Sequence, residues 1–235
     1  MSRPGCLYSL QDELPNLVRL YDNMSDKATT KDRILDAAEG LFAERGFAET
    51  SLRNITSRAT VNLASVNYHF GSKKSLIQAV FDRFLREFCD KLGTEMAVLE
   101  QRKGETALED VLGAVLPALL HIDTLRPNGA AIFMRLLGRA YSETQGHMRR
   151  FMFERYGEVM ERFTHAIVKA SPGLPANEVF WRLHFMLGSV VFTLGGGSAL
   201  REIAEADFKE LVDLEAVARK LIPFLAAGMR ASHYS

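Results

Sequence analysis

Between Ala64 and Lys73 the chain brings together most of the side-chain types that read nucleic acid. The amide of Asn67 can bond an adenine edge, the Ser65 hydroxyl can bond a base or a phosphate, and Ala64 suits a thymine methyl. Tyr68, His69, Ser72 and Lys73, with Ser51 ahead of them, offer donors for phosphate oxygens. Phosphate contacts set register and base contacts set specificity, so the two groups have different duties. Tyr68 and His69 have a second reading, as packing residues at a helix end.

Such residues work only if a rigid element presents them. From Lys31 the apolar residues Ile34, Leu35, Ala38, Leu41 and Phe42 recur at the helical period, and Gly46 follows as a C-cap. Thr50 or Ser51 can cap a short second helix with Leu52, Ile55 and Ala59 inward, and Asn62 can cap a third that ends near Phe70. Leu63, Val66 and Phe70 share one face of that third helix, while Ala64, Ser65, Asn67 and Tyr68 point broadly the other way. A short helix, a tight turn and a second short helix over 51–70 make a helix-turn-helix whose second helix enters the major groove. Ala59 lets the two helices approach closely, and Val61 can fill the turn. Ser72 then caps a long fourth helix carrying Leu76, Ile77, Val80, Phe81, Phe84, Leu85 and Phe88.

Charge is consistent with this placement. The 235 residues carry 29 Lys and Arg against 29 Asp and Glu, so bulk attraction to nucleic acid is excluded and any binding must be local. From Ser51 to Phe81 the chain holds Arg53, Arg58, Lys73 and Lys74 without one Asp or Glu. Neutrality also disfavours a protein that merely organises DNA. No run approaches the ~20 apolar residues of a membrane span, and no signal peptide is apparent, so a soluble, cytoplasmic protein with no membrane partner is expected. Cys6 and Cys89 match no metal or redox spacing and are expected to be free thiols.

Enzyme chemistry finds no nucleophile elbow, metal-ligand cluster or phosphate loop, so neither activity, cofactor nor metal is expected. Gly195-Gly196-Gly197 lacks the flanking strand and spacing of a phosphate loop and reads as a turn.

Beyond Gly104 the period stays helical, with segments near 105–122, 128–144, 147–171, 176–195 and 210–231, Pro117 kinking the first. The fold class is therefore all-α: a possible extension over 1–26, with Met24 resembling a natural start, a helix-turn-helix domain over 27–72, and a larger helical domain over 73–235. An extension that enters the minor groove is disfavoured, because Arg3 and Arg19 face Asp12, Glu13 and Asp22. In the larger domain Phe133, Met134, Leu137, Phe163, Phe185 and Met186 can wall an apolar pocket, although each fits a core equally well. Arg135, Arg139, His165 or His184 can meet an acidic head group. Leu183, Leu187 and Val190 form a stripe facing that of Leu221 and Phe224; such stripes can bury each other within one chain or pair two chains.

Residues 31–81, from Lys31-Asp32-Arg33 through His69-Phe70 and Lys73 to Phe81, resemble the DNA-binding domain of the TetR family of regulators. The resemblance implies that the third helix reads operator DNA and that Tyr68, His69 and Lys73 contact its backbone. Thr60 stands where a turn glycine is common and Asn67 where a first tyrosine is common, which favours base reading at Asn67. Residues 131–151 and 180–196 resemble a fatty-acid-responsive branch of the family. The resemblance implies a homodimeric repressor of fatty-acid degradation genes, released by a hydrophobic effector, a long-chain fatty acid or acyl-CoA; the alternative is a repressor of an efflux or stress operon induced by another hydrophobic molecule.

Overall fold

The computed structural model describes residues 29–143 and 146–232; Cys6, Met24 and the expected extension over 1–26 lie outside them. All regular structure among the described residues is helical. The head holds α1 (Thr30–Arg45), α2 (Leu52–Ala59) and α3 (Leu63–Phe70). After it come α4 (Lys73–Glu100), α5 (Leu108–Gly113), α6 (Val115–Leu125), α7 (Gly129–Ser142), α8 (Gly146–Lys169), α9 (Ala176–Gly195), α10 (Gly197–Phe208) and α11 (Leu214–Arg230).

Side-chain caps delimit the head helices, at Ser51, Asn62 and Ser72 as the sequence suggested and at Thr29 besides. Thr29 and Asp32 cap α1 reciprocally, Ser51 and Asn54 cap α2 in the same way, and the side chains of Asn62 and Ser72 accept N–H groups of α3 and α4. Gly46 ends α1 at φ 87°, a conformation that glycine adopts without steric cost. Thr50 is not a cap; its buried hydroxyl donates to the Gly46 carbonyl (2.7 Å) and closes the α1–α2 turn.

Head and body share one continuous core. Phe47 lies 5.2 Å from Phe42 and 6.0 Å from Phe81 of α4, and the same cluster runs on through Phe84 and Phe88 to Phe133, Met134 and Leu137 of α7. Head and body thus meet through the buried face of α4. A second, smaller core joins Leu108, Val111 and Leu112 of α5 to Ile167, Met186, Leu225 and Met229.

Three expectations are corrected here. The kinked helix over 105–122 is two helices that part at Ala114, and Pro117 lies in the first turn of α6, where its missing N–H has no partner to lose. Gly195 to Gly197 is a corner after which the chain turns helical again as α10, a helix the sequence analysis did not place. Residues 210–213 are not helical, because Asp213 caps α11 through the Ala216 N–H (2.7 Å). Among the described residues no single helix is long and apolar enough to cross a membrane. Cys89 is buried and unpaired.

Candidate nucleic-acid interface and cavity

The turn between α2 and α3 is Thr60-Val61-Asn62. Thr60 adopts a left-handed conformation at φ 53°, where glycine would be easier, and its carbonyl accepts from Arg33 Nη2 of α1 (3.2 Å). The Asn62 side chain accepts from Ser65 N (2.8 Å) and from the Ser65 hydroxyl (2.9 Å). Val66 and Phe70 anchor α3 in the core, whereas Leu63, expected on that face, is exposed.

The opposite face is free. Ala64, Asn67, Tyr68 and His69 are exposed, Tyr68 to 86%, with the Tyr68 and His69 rings 5.1 Å apart. That exposure disposes of the packing reading of Tyr68, since a ring used to seat a helix end would be covered. Ser65 differs from its expected role: it is half-buried and its hydroxyl is engaged on the cap. Ser51 and Ser72 likewise spend their hydroxyls on Asn54 and Ser75, but each cap lies at a helix start whose N–H groups favour an anion. Arg58 is neutralised by Glu44 at 3.0 Å, while Arg53, Lys73 and Lys74 have no carboxylate partner among the described residues. What remains is one exposed, acid-free face carrying an amide, a phenol, an imidazole and unpaired cations.

In the body a cavity of about 1850 Å³ opens between α4, α5, α7, α8 and α9. Its apolar wall is carried by Met148, Met152 and Met160 of α8 with Leu85 and Met96 of α4. Tyr141, Phe180 and His184 gather on another side, the His184 ring 4.2 Å from Phe180 and 6.0 Å from Tyr141. His165 lines the cavity as well. Tyr156 donates to Asp82 Oδ1 (2.6 Å) and ties α8 to α4; burial and this bond push its phenol up to about 12. Burial raises Asp82, but Tyr156, Arg86 and Arg155 outweigh it and hold the carboxyl below its usual range.

None of the six apolar pocket residues expected from the sequence lines this cavity, although His165 and His184, read as candidates to meet an acidic head group, do. Phe133 stacks on Phe84 at 5.5 Å and sits with Met134 and Leu137 in the main core; Phe163 packs against both cores; Met186 belongs to the smaller one; Phe185 points outward. Arg135 is exposed, and Arg139 donates to the Glu44 carbonyl instead (3.3 Å). The α8 methionines were missed, although Met148, Met152, Tyr156 and Met160 recur every fourth residue and so form one visible stripe.

The expected pairing stripe is also displaced. Leu183, Leu187, Val190 and Leu221 turn inward and pack on the cores, whereas Trp181, Phe185 and Phe192 of α9, with Phe224 of α11, form the exposed apolar face. Of the expected set, Phe224 alone is exposed, at 66%.

Two family models match the chain: bacterial regulatory proteins of the tetR family over residues 34–80, and the tetracyclin repressor-like C-terminal domain over 113–228. Together the matched stretches cover more than half of the sequence, and the chain belongs to the TetR family of transcriptional regulators. The probable transcriptional regulator YttP of Bacillus subtilis is 30% identical over 90 residues, which are 38% of this chain and 44% of that protein. The match thus reaches less than half of that relative's length. The fold is shared with the fatty acid degradation regulator FadR of Bacillus halodurans, at 17% identity and a TM-score of 0.55 over 88% of this chain and 100% of that one. It is shared too with SmeT, the repressor of the Stenotrophomonas maltophilia multidrug efflux pump SmeDEF, at 20% identity and a TM-score of 0.52 over 85% and 90%.

Proposed function

We propose that this protein is a one-component transcriptional repressor that binds a partly palindromic operator as a homodimer. The observation that carries the reading is the exposed face of α3. There Asn67 reads an adenine edge with Ala64 beside it, while Tyr68, His69 and Lys73 hold phosphates together with the helix starts capped by Ser51 and Ser72. Ser65 serves mainly by fixing the Asn62 cap. One such head covers a half-site, so two-fold pairing supplies the second. Trp181, Phe185, Phe192 and Phe224 supply the apolar surface that pairing buries.

The effector we assign is a long-chain fatty acid or its CoA thioester, and the regulated genes are those of fatty-acid breakdown. The cavity exceeds the ~300–1,000 Å³ of ordinary small-molecule pockets, and its methionine wall suits a flexible acyl chain. His165 and His184 line the cavity, and to them we assign the acidic head group. Support comes also from residues 131–151 and 180–196, which resemble the pseudomonad fatty-acid-responsive repressor PsrA, and from the fold shared with the FadR regulator. A second reading, an efflux-type repressor induced by planar hydrophobic molecules, draws on the ring cluster of Tyr141, Phe180 and His184.

Retardation of the DNA upstream of the protein's own gene, with oleate, oleoyl-CoA, octanoate and triclosan added in turn, separates these readings. Burying a methylene stabilises by ~0.8 kcal/mol, so four fewer carbons should cost about 3 kcal/mol, and octanoate should be a far weaker inducer than oleate. Release by triclosan alone would select the second reading, and no specific retardation would overturn both.

A further inference from the structure

Besides the Arg83–Asp36 pair (2.7 Å) and the bond from Arg139 to the Glu44 carbonyl (3.3 Å), two polar ties join the head to the body. In the first, buried Glu39 of α1 pairs with Arg83 of α4 (3.3 Å) and with Arg126 at the end of α6, whose guanidinium lies 4.8 Å from the Phe84 ring centre. In the second, Glu143, the residue after α7, accepts from the backbone N–H groups of Phe47 (3.1 Å) and Ala48 (2.8 Å) in the α1–α2 turn. A Cβ at Gly46 would strike Glu143 Oε1, so the glycine leaves open the seat that this carboxylate occupies.

The ties differ in one respect. Glu143 also lines the large cavity, beside Ala140 and Tyr141 and near Met148, whereas Glu39, Arg83 and Arg126 do not. A carboxylate that touches both the cavity and two head amides is mechanically placed between them.

We propose that Glu143 is the positioning residue through which filling of the cavity reaches the reading head. While its carboxylate holds the Phe47 and Ala48 amides, the α1–α2 turn stays against α7 and the head keeps the orientation described above. A ligand crowding the cavity wall at the end of α7 draws the carboxylate off, and the head turns about the Glu39 tie. This rests on the reading that a cavity ligand ends DNA binding, and it requires the ligand to favour the unlatched state, because equal affinity shifts nothing.

The test uses the full chain. Amide-resolved hydrogen exchange at Phe47 and Ala48 is measured for the wild type with and without oleate, for Glu143→Gln, and for Met160→Trp, which fills the cavity with a side chain and needs no effector. Oleate or Met160→Trp is expected to speed exchange at both amides at least tenfold. Glu143→Gln should exchange fast from the outset and take up oleate at least as tightly as the wild type in equilibrium dialysis, since the unlatched state that the ligand favours is already populated. In that variant, the fold-loss of operator affinity caused by oleate should shrink at least tenfold. If oleate is inert while Met160→Trp frees the amides, the effector assignment fails and the latch stands. Met152→Phe replaces Met160→Trp should the latter lose helical circular dichroism. Amides that stay protected when the cavity is filled overturn the proposal, as does an unchanged oleate effect in Glu143→Gln.

Discussion

Phe133→Ala separates core from cavity wall. Phe133 is 2% exposed, stacks on Phe84 at 8° between ring planes and touches Phe88, yet does not line the cavity. Truncating a buried phenylalanine costs about 3–5 kcal/mol, including the ~0.5–1.5 kcal/mol of its aromatic pairing. That is a large share of the ~5–15 kcal/mol that holds a protein folded. At ~2–4 °C per kcal/mol for a chain of this size, the melting temperature should fall by roughly 10 °C. Urea unfolding followed by circular dichroism gives the stability, and equilibrium dialysis at a temperature where the variant is folded gives oleate affinity, which should stay within about threefold of wild type. A stability loss below about 1 kcal/mol together with a tenfold loss of oleate binding would refute the reasoning.

The remaining predictions address the interface, the pairing face and pH. Lys73→Ala should weaken binding to cognate and random DNA alike and flatten the log-log salt slope by ~0.9 per head, whereas Asn67→Ala should cost ~1–3 kcal/mol on the cognate site only. Retardation across a salt series on both DNAs checks this, and equal losses for both variants would contradict it. Phe224→Glu should yield a folded monomer in sedimentation, while Leu221→Glu, whose side chain packs on the core, should lower thermal stability instead. A Phe224→Glu protein that stays dimeric would remove α11 from the pairing face. The Tyr156 phenol, raised to about 12, favours the folded state in its neutral form. Its contribution is complete below the ordinary tyrosine value of ~10 and disappears as pH rises through the folded value. The stability difference between wild type and Tyr156→Phe should therefore shrink over that alkaline window, and a difference unaffected by pH there would exclude the role.

The head was legible in the sequence because its signals are local. Gly46, Ser51, Asn62 and Ser72 each act on N–H or carbonyl groups within four residues, and one periodic stripe per helix is enough to say which side is buried. The cavity was not, because its definition is tertiary. Phe133 and Met152 are both apolar residues at helical spacing, and only the way α7 and α8 meet α4 makes one core and the other wall. On α9 two apolar stripes compete, Leu183-Leu187-Val190 and Trp181-Phe185-Phe192; the aliphatic one faces inward and the aromatic one outward. Pro117 misled for a related reason: a proline reads as a kink unless the helix restarts just before it, and Ala114 carries no sequence mark of that restart. Ser65 had chemistry suited to DNA, but a cap three residues long claims its hydroxyl.

The unbroken core between head and body bears on how such proteins can be taken apart. Phe47 rests on Phe81, and Leu76, Ile77 and Val80 of α4 are buried in the same cluster as Ile34 and Phe42 of α1. A fragment ending at residue 72 would leave these apolar faces to water and should be far less stable than the head within the full chain. A graft of this head onto another body should therefore carry the first half of α4 along with it. The junction at which DNA specificity can be exchanged thus lies inside a helix, where the shared packing must match on both sides of the splice.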